Sequence, residues 1–158
     1  MENIAHKLGY KLLREKLVLA TAESCTGGLI SKLITDVPGS SAWFDRGFIT
    51  YSNSAKHEML GVGFNLIEKH GAVSEKTVLA MTAGAIQKSH ADVAIAISGI
   101  AGPDGGTPEK PVGLVCFAWE RVGVFAKSEK KVFRGNREEV RMDAAKYALQ
   151  QMHISLGY

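Results

Sequence analysis

The stretch Leu17-Val18-Leu19-Ala20-Thr21-Ala22-Glu23-Ser24-Cys25-Thr26-Gly27-Gly28-Leu29-Ile30 changes character twice. Leu17 to Ala22 is a short apolar run, which reads as a buried strand. Glu23 to Gly28 is small, polar and glycine-rich, which reads as a tight turn. Leu29, Ile30, Leu33 and Ile34 then recur at helical intervals and stop before Pro38-Gly39, as one face of a short helix does. A strand, a tight turn and a helix in direct succession form the opening unit of a layered α/β domain.

The flanking segments extend the pattern. Ile4, Ala5, Leu8, Leu12 and Leu13 predict a helix before the strand. Downstream, Phe44 to Tyr51 reads as a second strand. Ser52 or Asn53 caps a short helix through Lys56 and Met59 that ends at Gly61. Ser74 caps a longer helix carrying Val78, Leu79, Met81, Ala85 and Ile86. Ala91 to Ile97 is nearly continuously apolar, as a strand covered on both faces is. Val112 to Trp119 and Val122 to Phe133 lie close enough in sequence to pair as an antiparallel hairpin. Asn136 with Glu139 forms a capping box that opens a last helix through Val140, Ala144, Tyr147, Ala148 and Met152. The expected fold is α/β, a layered α/β/α single domain over residues 1–158 with a mixed parallel and antiparallel sheet.

Composition narrows the class. With 158 residues, 46% hydrophobic and 22% charged, the chain can bury one sizeable core. No apolar run, Val93 to Ile97 included, approaches the roughly 18 residues of a membrane span, and Met1 to Tyr10 lacks the apolar centre of a signal peptide. Only Cys25 and Cys116 occur, without paired metal or redox spacing, so a reduced, cytoplasmic setting is expected. The five histidines are scattered, and no metal site is predicted. A net charge of +3 suits a small anionic ligand as well as a nucleic acid. The basic final third lacks the interleaved aromatics or basic helix of a nucleic-acid surface, so no nucleic-acid partner is expected.

Three segments can carry chemistry. In Ala22 to Gly28, Ser24 and Thr26 lie where a strand enters a helix. Free amides and the helix dipole there favour an anion or a developing oxyanion. Their hydroxyls can serve as nucleophile or phosphate contact, and Gly27 and Gly28 let a ligand approach the backbone. Plain helix capping by Ser24 or Thr26 explains the same pattern. Cys25 is an alternative nucleophile or a small apolar side chain tucked against the helix start. In Tyr51 to His57, a helix beginning at Asn53 carries Lys56 one turn in, where it reaches back over the strand end. Partial desolvation there would lower its pKa and make it a neutral base toward a serine. Spacing alone does not separate Lys56 from the other lysines. Ser98 to Thr107, including Gly99 and Gly102, follows the buried strand with many exposed donors, yet fits neither the dinucleotide nor the Walker spacing. A phosphate-cradling nest and a long turn before the hairpin are both consistent with it.

Taken together these motifs resemble the C-terminal domain of the competence and damage-inducible protein CinA, the nicotinamide-nucleotide amidase family. The matching residues are Thr21 to Gly28, Gly47 to Asn53 with Lys56, His70 to Ser74, and Ile97 to Pro103 through Pro111-Val112-Gly113, with Arg137 and Arg141 on the last helix. They span nearly the whole chain in the family's order. The resemblance implies hydrolysis of nicotinamide mononucleotide to nicotinic acid mononucleotide and ammonia, which returns a pyridine nucleotide to NAD synthesis, without metal or organic cofactor. It implies Ser24 as nucleophile and Lys56 as general base. Tyr51 is grouped with Ser24 and Lys56 as an expected catalytic residue, and its ring can pack over the pyridinium. Thr26, Gly27, Gly28, Asn53, Ser98, Gly99, Gly102, Arg137 and Arg141 are the expected ligand contacts, with Thr26, the glycine-rich loop and Arg141 as candidates for the phosphate. The chain looks like the stand-alone form of the domain, and a homodimer or higher homo-oligomer is expected. A non-catalytic nucleotide-binding regulatory module of the same family is the alternative reading.

Overall fold

The computed structural model describes residues 3–157. Helix α1 (Ile4–Glu15) opens on Asn3, whose side chain accepts from the Ala5 amide, and ends at Lys16 in the left-handed region. Strand β1 (Leu19–Glu23) follows, buried along its whole length, and leads to α2 (Leu29–Thr35). A single 3-10 turn at Ser40–Ala42 precedes β2 (Phe44–Ile49). Then come α3 (Asn53–Leu60), α4 (Phe64–His70) and α5 (Glu75–Gln87). β3 (Val93–Gly99), β4 (Leu114–Arg121), β5 (Phe125–Val132) and α6 (Arg137–Ser155) complete the chain.

The sheet order is β2-β1-β3-β4-β5. β1 pairs in parallel with β2 and β3, and β3–β4 and β4–β5 are antiparallel, so the expected mixed sheet is the one found. Side-chain alternation divides its two faces by size. Val93, Ile95 and Ile97 with Val115, Phe117 and Trp119 point into a core shared with α1, α2 and α6. Ala94, Ala96, Ala118 and Ala22 point to the other face, beneath α3, α4 and α5. Small residues on that face let helices approach closely, and between α5 and α3 there is no room to spare: a β-carbon on Gly84 would fall 2.0 Å from the Leu60 carbonyl oxygen.

Several boundaries differ from those read in the sequence. β1 starts at Leu19 because Leu17 still closes the end of α1 through its amide bond to the Leu12 carbonyl, and Asp92 caps the Val18 amide. β2 stops at Ile49, two residues short, because Thr50 to Ser52 turn toward the Ser52 cap of α3. The hairpin strands begin later, at Leu114 and Phe125. Helix α4 was not anticipated: it is only seven residues long and enclosed by Gly63 and Gly71, so punctuation masks its apolar Leu66 and Ile67. The capping box at Asn136 and Glu139 is present.

Because β1 lies between β2 and β3, the chain leaves β1 toward one side and returns on the other. The carboxyl ends of these parallel strands therefore meet at a topological switch point, where open α/β sheets hold their ligands. The Ser24 turn sits there.

Candidate active site

Ser24 is held at the end of β1 by backbone bonds on both sides. Its amide donates to the Ile97 carbonyl of β3 at 3.0 Å, and the Glu23 carbonyl accepts from the Thr50 amide at 2.8 Å. Lys56 arrives from α3. Ser52 caps that helix by accepting from the Ala55 amide, which places Lys56 on its first turn, facing back over the sheet edge. The two side chains meet: Lys56 Nζ lies 3.0 Å from Ser24 Oγ.

The surroundings of Lys56 decide its chemistry. It is 1% exposed, and no carboxylate pairs with it among the described residues. Its other neighbours are the carbonyl oxygens of Thr50 at 3.0 Å and Tyr51 at 3.1 Å. Burial without a counter-ion holds its pKa below the usual lysine value. As placed, Nζ donates to Ser24 Oγ, whose own hydroxyl reaches the Tyr51 carbonyl at 3.4 Å; a neutral amine would keep two N–H groups for the two carbonyls and have one lone pair to offer the Ser24 hydroxyl. Cys25, beside Ser24, is a poor competitor, since burial pushes its thiol up to about 12.

A cavity of about 260 Å³ opens over this pair. Ser24, Lys56, Tyr51, Asn53, Ser98, Gly99 and Arg137 all line it, so segments far apart in sequence converge on one space. Tyr51 stands at the mouth, 62% exposed. Arg137 donates to the Gly102 carbonyl at 2.8 Å and reaches the Tyr51 hydroxyl at 3.4 Å. Gly102 thus meets the site through its carbonyl, behind Arg137. Together with Cys25, the residues Ala72, Val73 and Ala101 complete the wall; the only signal of these last three in the sequence was membership of the motifs around them, because small apolar side chains carry no chemistry of their own.

The helix-start expectation needs correction. α2 begins at Leu29 with Gly28 as its cap, in the left-handed region, and neither Ser24 nor Thr26 caps it. Its first free amides do not open onto the cavity. The fully buried Glu23 carboxylate accepts from the Ile30 and Ser31 amides at 2.8 and 2.9 Å, and from the Thr26 and Ser31 hydroxyls at 2.7 Å each. An internal anion therefore occupies the positive end of the helix. Thr26 is fully buried and turned toward Glu23. Gly27 and Gly28 shape the turn from outside the cavity wall, with φ of 58° and 105°. Arg141 also lies behind the turn, donating to the Cys25 and Thr26 carbonyls at 3.0 Å each. Glu23 was overlooked because its fold-back onto α2 leaves no spacing signal.

Among the described residues, no group of three or more His, Cys, Asp or Glu side chains could hold a metal ion, and no helix is long and apolar enough to cross a membrane.

Comparison with known proteins gives the arrangement its context. The nicotinamide-nucleotide amidohydrolase PncC of Enterobacter agglomerans is 51% identical over 150 residues, covering 95% of this chain and 92% of that protein. The protein of the same name from Escherichia coli K12 is 49% identical, covering 94% and 90%. The crystal structure of a competence or damage-inducible protein from Enterobacter asburiae superposes with a TM-score of 0.94 at 36% identity, covering 99% of this chain and all of that one. The sequence profile of the CinA C-terminal domain matches residues 1–156, and the chain belongs to that family.

Proposed function

We propose that this protein hydrolyses the carboxamide of nicotinamide mononucleotide, with Ser24 as nucleophile and Lys56 as its base. The observation that carries this reading is the 3.0 Å contact between Ser24 Oγ and a buried lysine that has no carboxylate partner among the described residues. Relatives about half identical over most of their length, named nicotinamide-nucleotide amidohydrolases, support the choice of substrate.

The steps follow from the groups present. Neutral Lys56 takes the Ser24 proton as Oγ bonds to the carboxamide carbon, and the carbonyl oxygen becomes an oxyanion. The Thr50 and Tyr51 carbonyls hold the resulting ammonium beside the reacting nitrogen. Lys56 returns that proton to the nitrogen as the C–N bond breaks, and ammonia leaves an ester on Ser24. Water then adds to the ester carbon, giving its proton to Lys56. Cleavage of the ester C–O bond, with the proton passed back to Ser24, releases nicotinic acid mononucleotide. Returned to NAD synthesis, that product makes the reaction a recycling step.

Binding roles go to the remaining wall. Arg137 is the cation at the cavity mouth suited to the phosphate, since its fork can meet two oxygens. Tyr51 can lie against the pyridinium ring, a cation over an aromatic face. Asn53, Ser98 and Gly99 offer polar contacts to the carboxamide and ribose. Incubation with nicotinamide mononucleotide should yield ammonia and nicotinic acid mononucleotide in equal amounts. Saturable ligand binding with no ammonia would overturn the amidase reading and make the protein a nucleotide-binding module.

A further inference from the structure

Arg141 stands outside the cavity, and its contacts trace a path to the site. Nε donates to the Cys25 carbonyl and Nη2 to the Thr26 carbonyl, both at 3.0 Å. These carbonyls belong to consecutive peptides, and a trans peptide presents its N–H opposite its C=O. The peptide that begins at the Thr26 carbonyl ends on the Gly27 amide, which donates to the Ser24 carbonyl at 3.0 Å. The Ser24 carbonyl in turn shares its peptide with the Cys25 amide. One relay therefore runs from the guanidinium through two peptides to the Cys25 N–H. A second, through the Cys25 carbonyl, ends on the Thr26 N–H.

Neither terminal amide donates to an oxygen among the described residues. Thr26 is fully buried, whereas Cys25 lines the cavity beside Ser24. The amide after a nucleophile is well placed to meet the oxyanion that the nucleophile creates. Hydrogen bonds in series polarise one another, so a charged donor at the far end strengthens the last N–H. Gly27 allows the close approach: its φ of 58° suits glycine, and a β-carbon there would lie 3.3 Å from Nη2.

We propose that Arg141 is a positioning residue that sets the direction and donor strength of the Cys25 amide for the oxyanion, and that it does not hold the ligand phosphate. The proposal rests on Ser24 as nucleophile, and its test separates the two. Wild type, Arg141→Ala and Arg141→Lys are compared for kcat and KM in ammonia release from nicotinamide mononucleotide, for the Kd of nicotinic acid mononucleotide, and for the amide proton shift of Cys25. In Arg141→Ala, kcat falls by about 10²-fold, the scale of a lost oxyanion donor. KM and Kd stay within about threefold, as expected when only transition-state stabilisation is removed. The Cys25 amide proton moves upfield. Arg141→Lys keeps the charge but replaces the planar fork, whose Nε and Nη2 each meet one carbonyl, by a single nitrogen on a stem of different reach, so its kcat also falls; it carries the same test if the alanine variant does not fold. Unchanged kcat, an unmoved Cys25 shift, or a KM and Kd raised about tenfold or more with kcat retained would each overturn the proposal. A wild type that releases no ammonia, with the Cys25 shift still responding to Arg141, would instead overturn the amidase reading.

Discussion

Glu23→Gln offers a stringent test of how the Ser24 turn is built. The carboxylate accepts from four donors: Oε1 from Thr26 Oγ1 and the Ile30 amide, and Oε2 from Ser31 Oγ and the Ser31 amide. A glutamine can offer an oxygen to only one pair. Its NH2 must face the other, where the hydroxyl can rotate to accept but the backbone N–H cannot. Either orientation strands one N–H at the start of α2, at about 1–3 kcal/mol. The two bonds that remain fall from charge-assisted to neutral strength, roughly 1 kcal/mol each. Relief of the buried charge works in the opposite direction, yet leaves the stranded N–H in place. Before that relief the losses sum to about 3–5 kcal/mol, against a typical total of about 5–15. Thermal unfolding should drop by up to about 20 °C. Urea unfolding followed by the fluorescence of Trp43 and Trp119, both nearly fully buried, measures the change directly. A loss below about 1 kcal/mol would refute the claim that this carboxylate holds the turn.

Other perturbations address Lys56 and the packing beneath it. Lys56→Ala should lower kcat/KM by about 10²–10⁴-fold at every pH, the usual contribution of a general base; a rate near wild type would remove Lys56 from the mechanism. In the wild type, kcat/KM should rise with pH to a plateau with its midpoint below 10.5, because burial lowers the pKa of Lys56 and the neutral form reacts; a midpoint at or above 10.5 contradicts this. The same depressed pKa means that the folded state binds this proton less tightly than the unfolded chain. The stability of wild type relative to Lys56→Met should therefore increase as pH rises through the window between the folded pKa and 10.5, as pH-dependent urea unfolding would show. Gly84→Ala should cost about 1–3 kcal/mol or more, since its β-carbon would collide with the Leu60 backbone 2.0 Å away; unchanged stability would mean that α3 and α5 are free to separate.

Much of the architecture was legible where one residue type has one local job. The Ser52 to Gly61 frame placed Lys56 on the first turn of α3, and the Asn136 and Glu139 pair fixed the start of α6. The apolar run in β3 declared a strand covered on both faces, and its alternation of isoleucine and alanine is what sets α5 close to the sheet. What remained hidden depends on contacts between segments. Nothing in the sequence says that the Glu23 carboxylate turns back onto α2, or that Arg141 seeks two backbone carbonyls. The groups that surround the Lys56 amine are the main-chain oxygens of Thr50 and Tyr51, which any residue could supply. Helix α4 was obscured by the glycines that frame it.

The central claim is that the Ser24 hydroxyl, activated by neutral Lys56, attacks the carboxamide. Its most direct test is ammonia release from nicotinamide mononucleotide by wild type and Ser24→Ala, with binding of nicotinic acid mononucleotide measured on both by calorimetry. The account predicts steady release by the wild type, none above the uncatalysed rate in the variant, and similar product binding by the two. Turnover by Ser24→Ala near the wild-type rate would contradict it and leave water or another side chain as the attacking group.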